Sequence, residues 1–172
     1  MIEPKQTSRL NVLVRKNAGK RKLQKLTKQI ADSTSLTVES AHFLSLEESD
    51  SLRQRLVTEY KRRQDDPTQT LTKTWNSERE ARTEIARIAP EFRLERVHVF
   101  FQCSNLVGAL IMMSRPFFQN CIDLVKVDGD SIYGCTENAN NGIIVDRREE
   151  SGLWKYEGIF WGDEWMNVAS CL

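Results

Sequence analysis

Residues 122–161 read IDLVKVDGDSIYGCTENANNGIIVDRREESGLWKYEGIFW. Ile122–Leu124–Val125–Val127, Ile132–Tyr133, Ile143–Ile144–Val145 and Trp154–Tyr156–Ile159–Trp161 are apolar runs rich in β-branched and aromatic residues. Asp128-Gly129-Asp130, Asn140-Asn141-Gly142 and Ser151-Gly152 cut them apart. Runs of this kind between turn dipeptides predict successive strands joined by hairpins, because Gly, Asn and Asp tolerate the left-handed backbone that tight turns need. The segment predicts a sheet and no reaction, for it holds no nucleophile–base pair, phosphate loop or metal-ligand spacing.

Upstream the pattern is helical. Ser45-Leu46-Glu47-Glu48 is a capping box, in which the serine oxygen accepts from an orphan amide and the glutamate reaches back. It predicts a helix over about 46–64 that buries Leu52, Leu56, Val57 and Tyr60 and stops at Asp65-Asp66-Pro67. Ser77-Glu78-Arg79-Glu80 is a second box and predicts a helix over about 78–89, with Ala81, Ile85 and Ile88 on one face. Leu36–Leu44 reads as a strand or extended entry. Strands are expected from about residue 93, with Arg93–Cys103 pairing with Leu106–Met113 and a short helix or turn at Phe117–Asp123. The expected fold is α+β, N-terminal helices packed on a C-terminal antiparallel β-meander. Residues 1–35 are expected to be a basic arm or short helix, with Leu23, Leu26 and Ile30 on one helical face, and residues 36–172 a single domain.

The chain's 172 residues, 40% hydrophobic and 28% charged, suit a globular protein and exclude global disorder. No run approaches the ~20 apolar residues that span a bilayer. The N-terminus lacks a signal peptide's order of charge, apolar core and cleavage site, so a cytoplasmic protein is expected. Cys103, Cys121, Cys135 and Cys171 are widely spaced, with no CxxC, and read as free thiols in a reducing compartment. With His42 and His98 the only histidines, no zinc spacing exists; no metal and no cofactor are expected. Asp128-Gly129-Asp130 lacks the rest of a calcium loop and reads as a turn.

Charge is unevenly distributed. Residues 1–30 hold nine Lys or Arg against Glu3 alone, a net +8, so with +1 overall the rest carries −7. Lys16, Lys20, Arg21, Lys22, Lys25 and Lys28 are candidates for neutralising nucleic-acid phosphates, though no aromatic residue accompanies them for base stacking. The alternatives are a solvated helix face or contact with an acidic surface, including that of a second copy. At the other end Asp128, Asp130, Glu137, Asp146, Glu149, Glu150, Glu157, Asp163 and Glu164 form a candidate docking face whose sign suits a basic partner. Trp154, Tyr156, Phe160, Trp161 and Trp165 belong to the core or, where exposed, supply anchors. Catalytic residues are not identified: Cys103 and His98, five apart on a strand, fall on opposite faces.

The runs Leu124–Cys135, Gly142–Asp146 and Tyr156–Trp165 resemble small cytoplasmic bacterial immunity proteins of polymorphic and contact-dependent toxin systems. The resemblance covers about residues 120–165, a quarter of the chain. It implies a strand–turn–strand body ending in an aromatic–acidic strand, and a non-catalytic protein that blocks a toxin by occluding its active site. The leading expectation is thus a protein-binding inhibitor acting through Asp128, Asp130, Glu137, Asp146, Glu149, Glu150, Trp154, Tyr156, Trp161, Asp163, Glu164 and Trp165. A nucleic-acid-binding regulator using Lys16–Lys28, dimerising through its sheet, is the alternative. A small enzyme is the third.

Overall fold

The computed structural model describes residues 4–171, with side chains from Val14 onward except that of Lys16, which therefore lies outside the described residues. Six helices and six strands follow in the order α1 (Pro4–Ser33), α2 (Leu46–Gln64), β1 (Thr70–Trp75), α3 (Glu78–Ile88), β2 (Arg96–Phe100), α4 (Ser104–Val107), β3 (Leu110–Met113), α5 (Ser114–Asp128), β4 (Ser131–Cys135), β5 (Gly142–Glu150), β6 (Leu153–Trp161) and α6 (Asp163–Ala169). The strands form one antiparallel sheet in the order β1-β6-β5-β4-β2-β3. The fold is α+β, with helices towards the N-terminus and strands mostly towards the C-terminus.

Both capping boxes start helices. The Ser45 hydroxyl accepts from the Glu48 amide, and the Glu48 carboxylate accepts from the Ser45 amide. At α3 the Ser77 hydroxyl accepts from the Glu80 amide, while the Glu80 carboxylate reaches one residue further back, to the Asn76 amide. The basic head is a helix of 30 residues, far longer than the Lys20–Ile30 stretch its periodicity marks. Gly19 lets it lie flush on α4: a Cβ there would sit 2.2 Å from the Leu106 carbonyl oxygen. Arg15 ties the same helix to α2 through a two-pronged ion pair with Asp50, at 2.8 and 2.9 Å.

One expected strand is a helix. Ile122–Val127 belongs to α5, where Phe117, Phe118, Cys121, Ile122, Leu124 and Val125 are all buried. These positions repeat at three- and four-residue spacing, and burial of that face outweighs the β preference of the valines. Asp128-Gly129-Asp130 is accordingly no hairpin turn but the helix end, with Gly129 at φ 118°. Three elements have no counterpart in the expected layout: the edge strand β1; α4, which takes Leu106 and Val107 out of the strand expected over Leu106–Met113; and α6, which places Trp165 on a helix.

The two faces of the sheet bury different clusters. On one, Trp75, Val97, Val99, Ile132, Ile143, Val145, Tyr156 and Phe160 pack with α3, α5 and α6, where Trp165 meets the stacked rings of Phe92 and Phe118 edge to face. Arg82 clamps α3 to α5 by pairing with both Glu78 and Asp123, and Lys126 joins Glu78 at 3.2 Å. On the other face α2 lays Leu52, Leu56 and Tyr60 over Phe100, Cys135, Ile144 and Trp161. One helix is too narrow to cover six strands, since it is ~10 Å wide while strands are ~4.8 Å apart and run well past it. The uncovered remainder of that face is the candidate site.

Candidate functional site

The acidic residues singled out in the sequence do not form one surface. β5 is nine residues long, roughly 27 Å. At one end lie Asp128, Asp130, Glu149, Glu150 and Trp154; at the other, Glu137 in the β4–β5 loop and Asp163 and Glu164 on α6. Several are already engaged. Asp128 accepts the Gln102 amide on both oxygens, at 2.9 and 3.0 Å, and so pins the loop after β2. Glu150 pairs with Arg148 and Lys155, and Glu164 with Arg93 at 3.3 Å. Tyr156, Trp161 and Trp165 are 1%, 0% and 0% exposed, which removes them from any docking surface. Trp154 alone of the named aromatics is displayed, with the Arg147 guanidinium 4.4 Å above its ring.

The β5–β6 register assembles something tighter. The two-residue turn at Ser151 (φ 54°) and Gly152 (φ 81°) pairs Glu150 with Leu153, and counting outward sets Asp146 directly across from Glu157. Ser131 faces Asp146 from β4, and Tyr133 lies next along that strand on the same side. This strip forms the floor of a groove whose wall is the Arg53, Val57, Tyr60 and Lys61 side of α2. Two clefts meet at Ser131: one of about 410 Å³ lined by the α2 wall and Tyr133, one of about 250 Å³ holding Asp130, Asp146, Arg148 and Glu157. Val57, Tyr133 and Leu153, three of the exposed large apolar side chains, all stand on this face. Sequence reasoning named Asp146 and Glu157, gave Ser131 and Tyr133 no site role, and placed Val57 and Tyr60 on the buried face of the helix, whereas Val57 is exposed.

Asp146 is hydrogen-bonded to Ser131 and feels the charge of Arg148, two residues along β5, but neither offsets its burial. Desolvation pushes the Asp146 carboxyl above its ordinary range, and the facing Glu157 charge adds to it. Burial likewise raises the Tyr60 and Tyr133 hydroxyls, with the Asp146 charge contributing to both. A carboxyl whose folded-state pKa is raised holds its proton more tightly folded than unfolded. Stability therefore falls as pH rises from the unfolded value through the raised one, and stays lowered above it. Asp146→Asn removes that cost. It is expected to raise the denaturation midpoint at neutral pH and to flatten the stability–pH curve on the acid side; an unchanged or lower midpoint would mean the charge is not under strain.

A larger cleft of about 720 Å³ opens at the other end, between Arg55, Arg96, Glu95, Glu137 and Glu164. Its charges interleave in sign, Glu95 accepts the Trp165 indole N–H at 2.8 Å, and it lacks an apolar anchor. The groove carries the stronger case for binding, since exposed apolar surface beside a half-buried carboxylate pair is what association relieves.

Among the described residues neither cysteine nor histidine lines any of these clefts. His98 lies across from Cys135 in the β2–β4 register, a pairing the sequence does not reveal. Burial lowers the His98 imidazole and raises the Cys135 thiol to about 12, so both stay neutral rather than forming a thiolate–imidazolium pair. Burial also raises Cys121 to about 12 and pushes Cys103 up. Among the described residues no three His, Cys, Asp or Glu side chains converge on a metal position. None of the described helices is long and apolar enough to cross a membrane.

Of the basic head, Lys20, Arg21, Lys22, Lys25 and Lys28 are exposed on α1. Comparison with known proteins adds no relative: no family model matches the chain, and neither curated proteins nor solved structures give a significant match.

Proposed function

We propose that the chain is a non-catalytic protein-binding module that uses the groove beside α2 to capture a partner presenting basic side chains. The carrying observation is the facing Asp146–Glu157 pair, held half-buried beside the exposed Tyr133, where the attraction of Arg148 is outweighed by burial and by the Glu157 charge. Two carboxylates opposed across a strand pair repel, and a lysine or arginine from outside relieves that repulsion while stacking on a tyrosine ring. Sheet and helix hold the groove rigid, so little ordering cost accompanies binding.

The resemblance of residues 120–165 to toxin-immunity proteins, although the strands expected at Leu124–Val127 and Asp163–Trp165 are helical here, suggests a biological role: a stoichiometric inhibitor that covers the active site of an effector enzyme. The acidic floor suits an enzyme with a cationic substrate-binding surface. The test uses the intact chain as bait against proteins of its own cell and of neighbouring toxin loci. A captured enzyme should lose its activity at one equivalent of the chain. The Asp146→Asn/Glu157→Gln double variant should bind it at least ~30-fold more weakly, the equivalent of about 2 kcal/mol for a central charge pair. Capture that the double variant leaves intact would refute the groove, and capture without inhibition would refute the inhibitor role.

A further inference from the structure

We propose that the outward face of α1 is a second binding surface, one for the phosphate backbone of nucleic acid. The inference is independent of the acidic groove. Gly19, Leu26 and Ile30 are buried and Leu23 half-buried where the helix packs on α4 and α5. At 100° per residue Arg21, Lys25 and Lys28 fall on the opposite side and Lys20 on its flank, and all four are exposed. They make a stripe ~12 Å long, a length over which duplex DNA carries about seven phosphates.

A solvated helix face usually interleaves its charges, as α2 does with Glu59 beside Arg62 and Arg63, and α3 with Glu78 beside Arg82. The α1 stripe does not. None of its four cations makes an ion pair among the described residues. Arg21 and Lys25 repel at i,i+4, and Asp32 is the one acidic residue of the helix. The neighbouring cations are otherwise committed, Arg15 to Asp50 and Lys22 to the vicinity of Asp128. A face that concentrates like charge against its own helix is complemented by a polyanion, and Asn17 and Gln24, both exposed, add phosphate hydrogen-bond donors along it. With no aromatic side chain in this part of α1, the surface reads backbone and not bases.

Full-length protein titrated into two fluorescein-labelled duplexes of unrelated sequence tests this, with fluorescence anisotropy as the readout. Equal affinity for both is expected, with Kd between roughly 10⁻⁴ and 10⁻⁶ M at physiological salt, tightening towards ~50 mM. Four phosphate contacts predict a slope of about −3.6 in log K against log salt. Replacing Lys20, Arg21, Lys25 and Lys28 together with glutamine should abolish most of that slope and weaken binding at least tenfold at low salt. These side chains are exposed, so circular dichroism should show the fold retained. Asp146→Asn/Glu157→Gln should leave duplex binding at least as tight as before, which separates this surface from the groove. Absence of duplex binding at ~50 mM salt overturns the proposal. So does an unaltered quadruple variant, or stronger binding to polyglutamate or phosphatidylglycerol vesicles at matched anion concentration.

Discussion

Replacing Trp161 with alanine should cost about 3–5 kcal/mol and lower the melting temperature by roughly 10 °C. The side chain is fully buried, packs its ring 5.6 Å from that of Tyr60, and donates its indole N–H to the Ala139 carbonyl at 3.1 Å. It thus joins three pieces: the C-terminal half of α2, the sheet, and the β4–β5 loop, in which Ala139 sits at φ 60°. Its own space is provided by Gly142, directly opposite in the register, where a Cβ would fall 2.0 Å from the ring. Gly142 has no side chain to fill the hole left by alanine. Trp161→Phe should recover most of the loss and forfeit only the hydrogen bond, about 1 kcal/mol. Urea denaturation of both variants decides it; a loss under about 1.5 kcal/mol for the alanine variant would show that the loop collapses onto the sheet after all.

The second large effect is expected at Gly19, and its sign is what makes it informative. On a solvated helix, glycine to alanine stabilises by about 1 kcal/mol. Here the added Cβ meets a backbone carbonyl oxygen at 2.2 Å, an atom that no rotamer change can move. Overpacking of this kind costs about 1–3 kcal/mol, so Gly19→Ala should be net destabilising and Gly19→Val more so. Hydrogen exchange should quicken along α1 before the rest of the protein. A neutral or stabilising alanine would mean that α1 rides higher on α4 than described.

Much of the architecture is legible in the chain because its signals are local. Capping boxes act within four residues, and Ser45–Glu48 marks the start of α2 without reference to anything distant. The α+β class follows from helical periods giving way to alternation. Non-local competition defeats the reading elsewhere. In α5 the valines carry a β preference that the buried helical face overrides, and nothing within the segment declares that other elements will bury it. The strand Thr70–Trp75 is short and mostly polar, and it exists because β6 offers it an edge.

The site divides the same way. Asp146 and Glu157 are readable as opposed residues, since a two-residue turn at Ser151–Gly152 fixes their pairing by counting. Tyr60, 73 residues upstream of Tyr133, joins them only because α2 folds across the sheet. The fate of the aromatics was likewise undecidable from pattern alone. Tyr156 and Trp161 alternate as strand residues do, so they point to opposite faces, and both faces are covered where they emerge.

That turn has one further consequence. Side chains on a strand repeat every second residue, so the number of residues at the tip sets the phase of everything after it. One inserted residue between Glu150 and Leu153 has two outcomes. Either a bulge absorbs it at the tip, or β6 slips, bringing Glu157 into the apolar core and turning Tyr156 out. A charge cannot be accommodated there, so the bulge is the outcome the rest of the molecule enforces. The hairpin tip can therefore change in sequence, and even in shape, while the parity of β6 stays locked by the core beneath it.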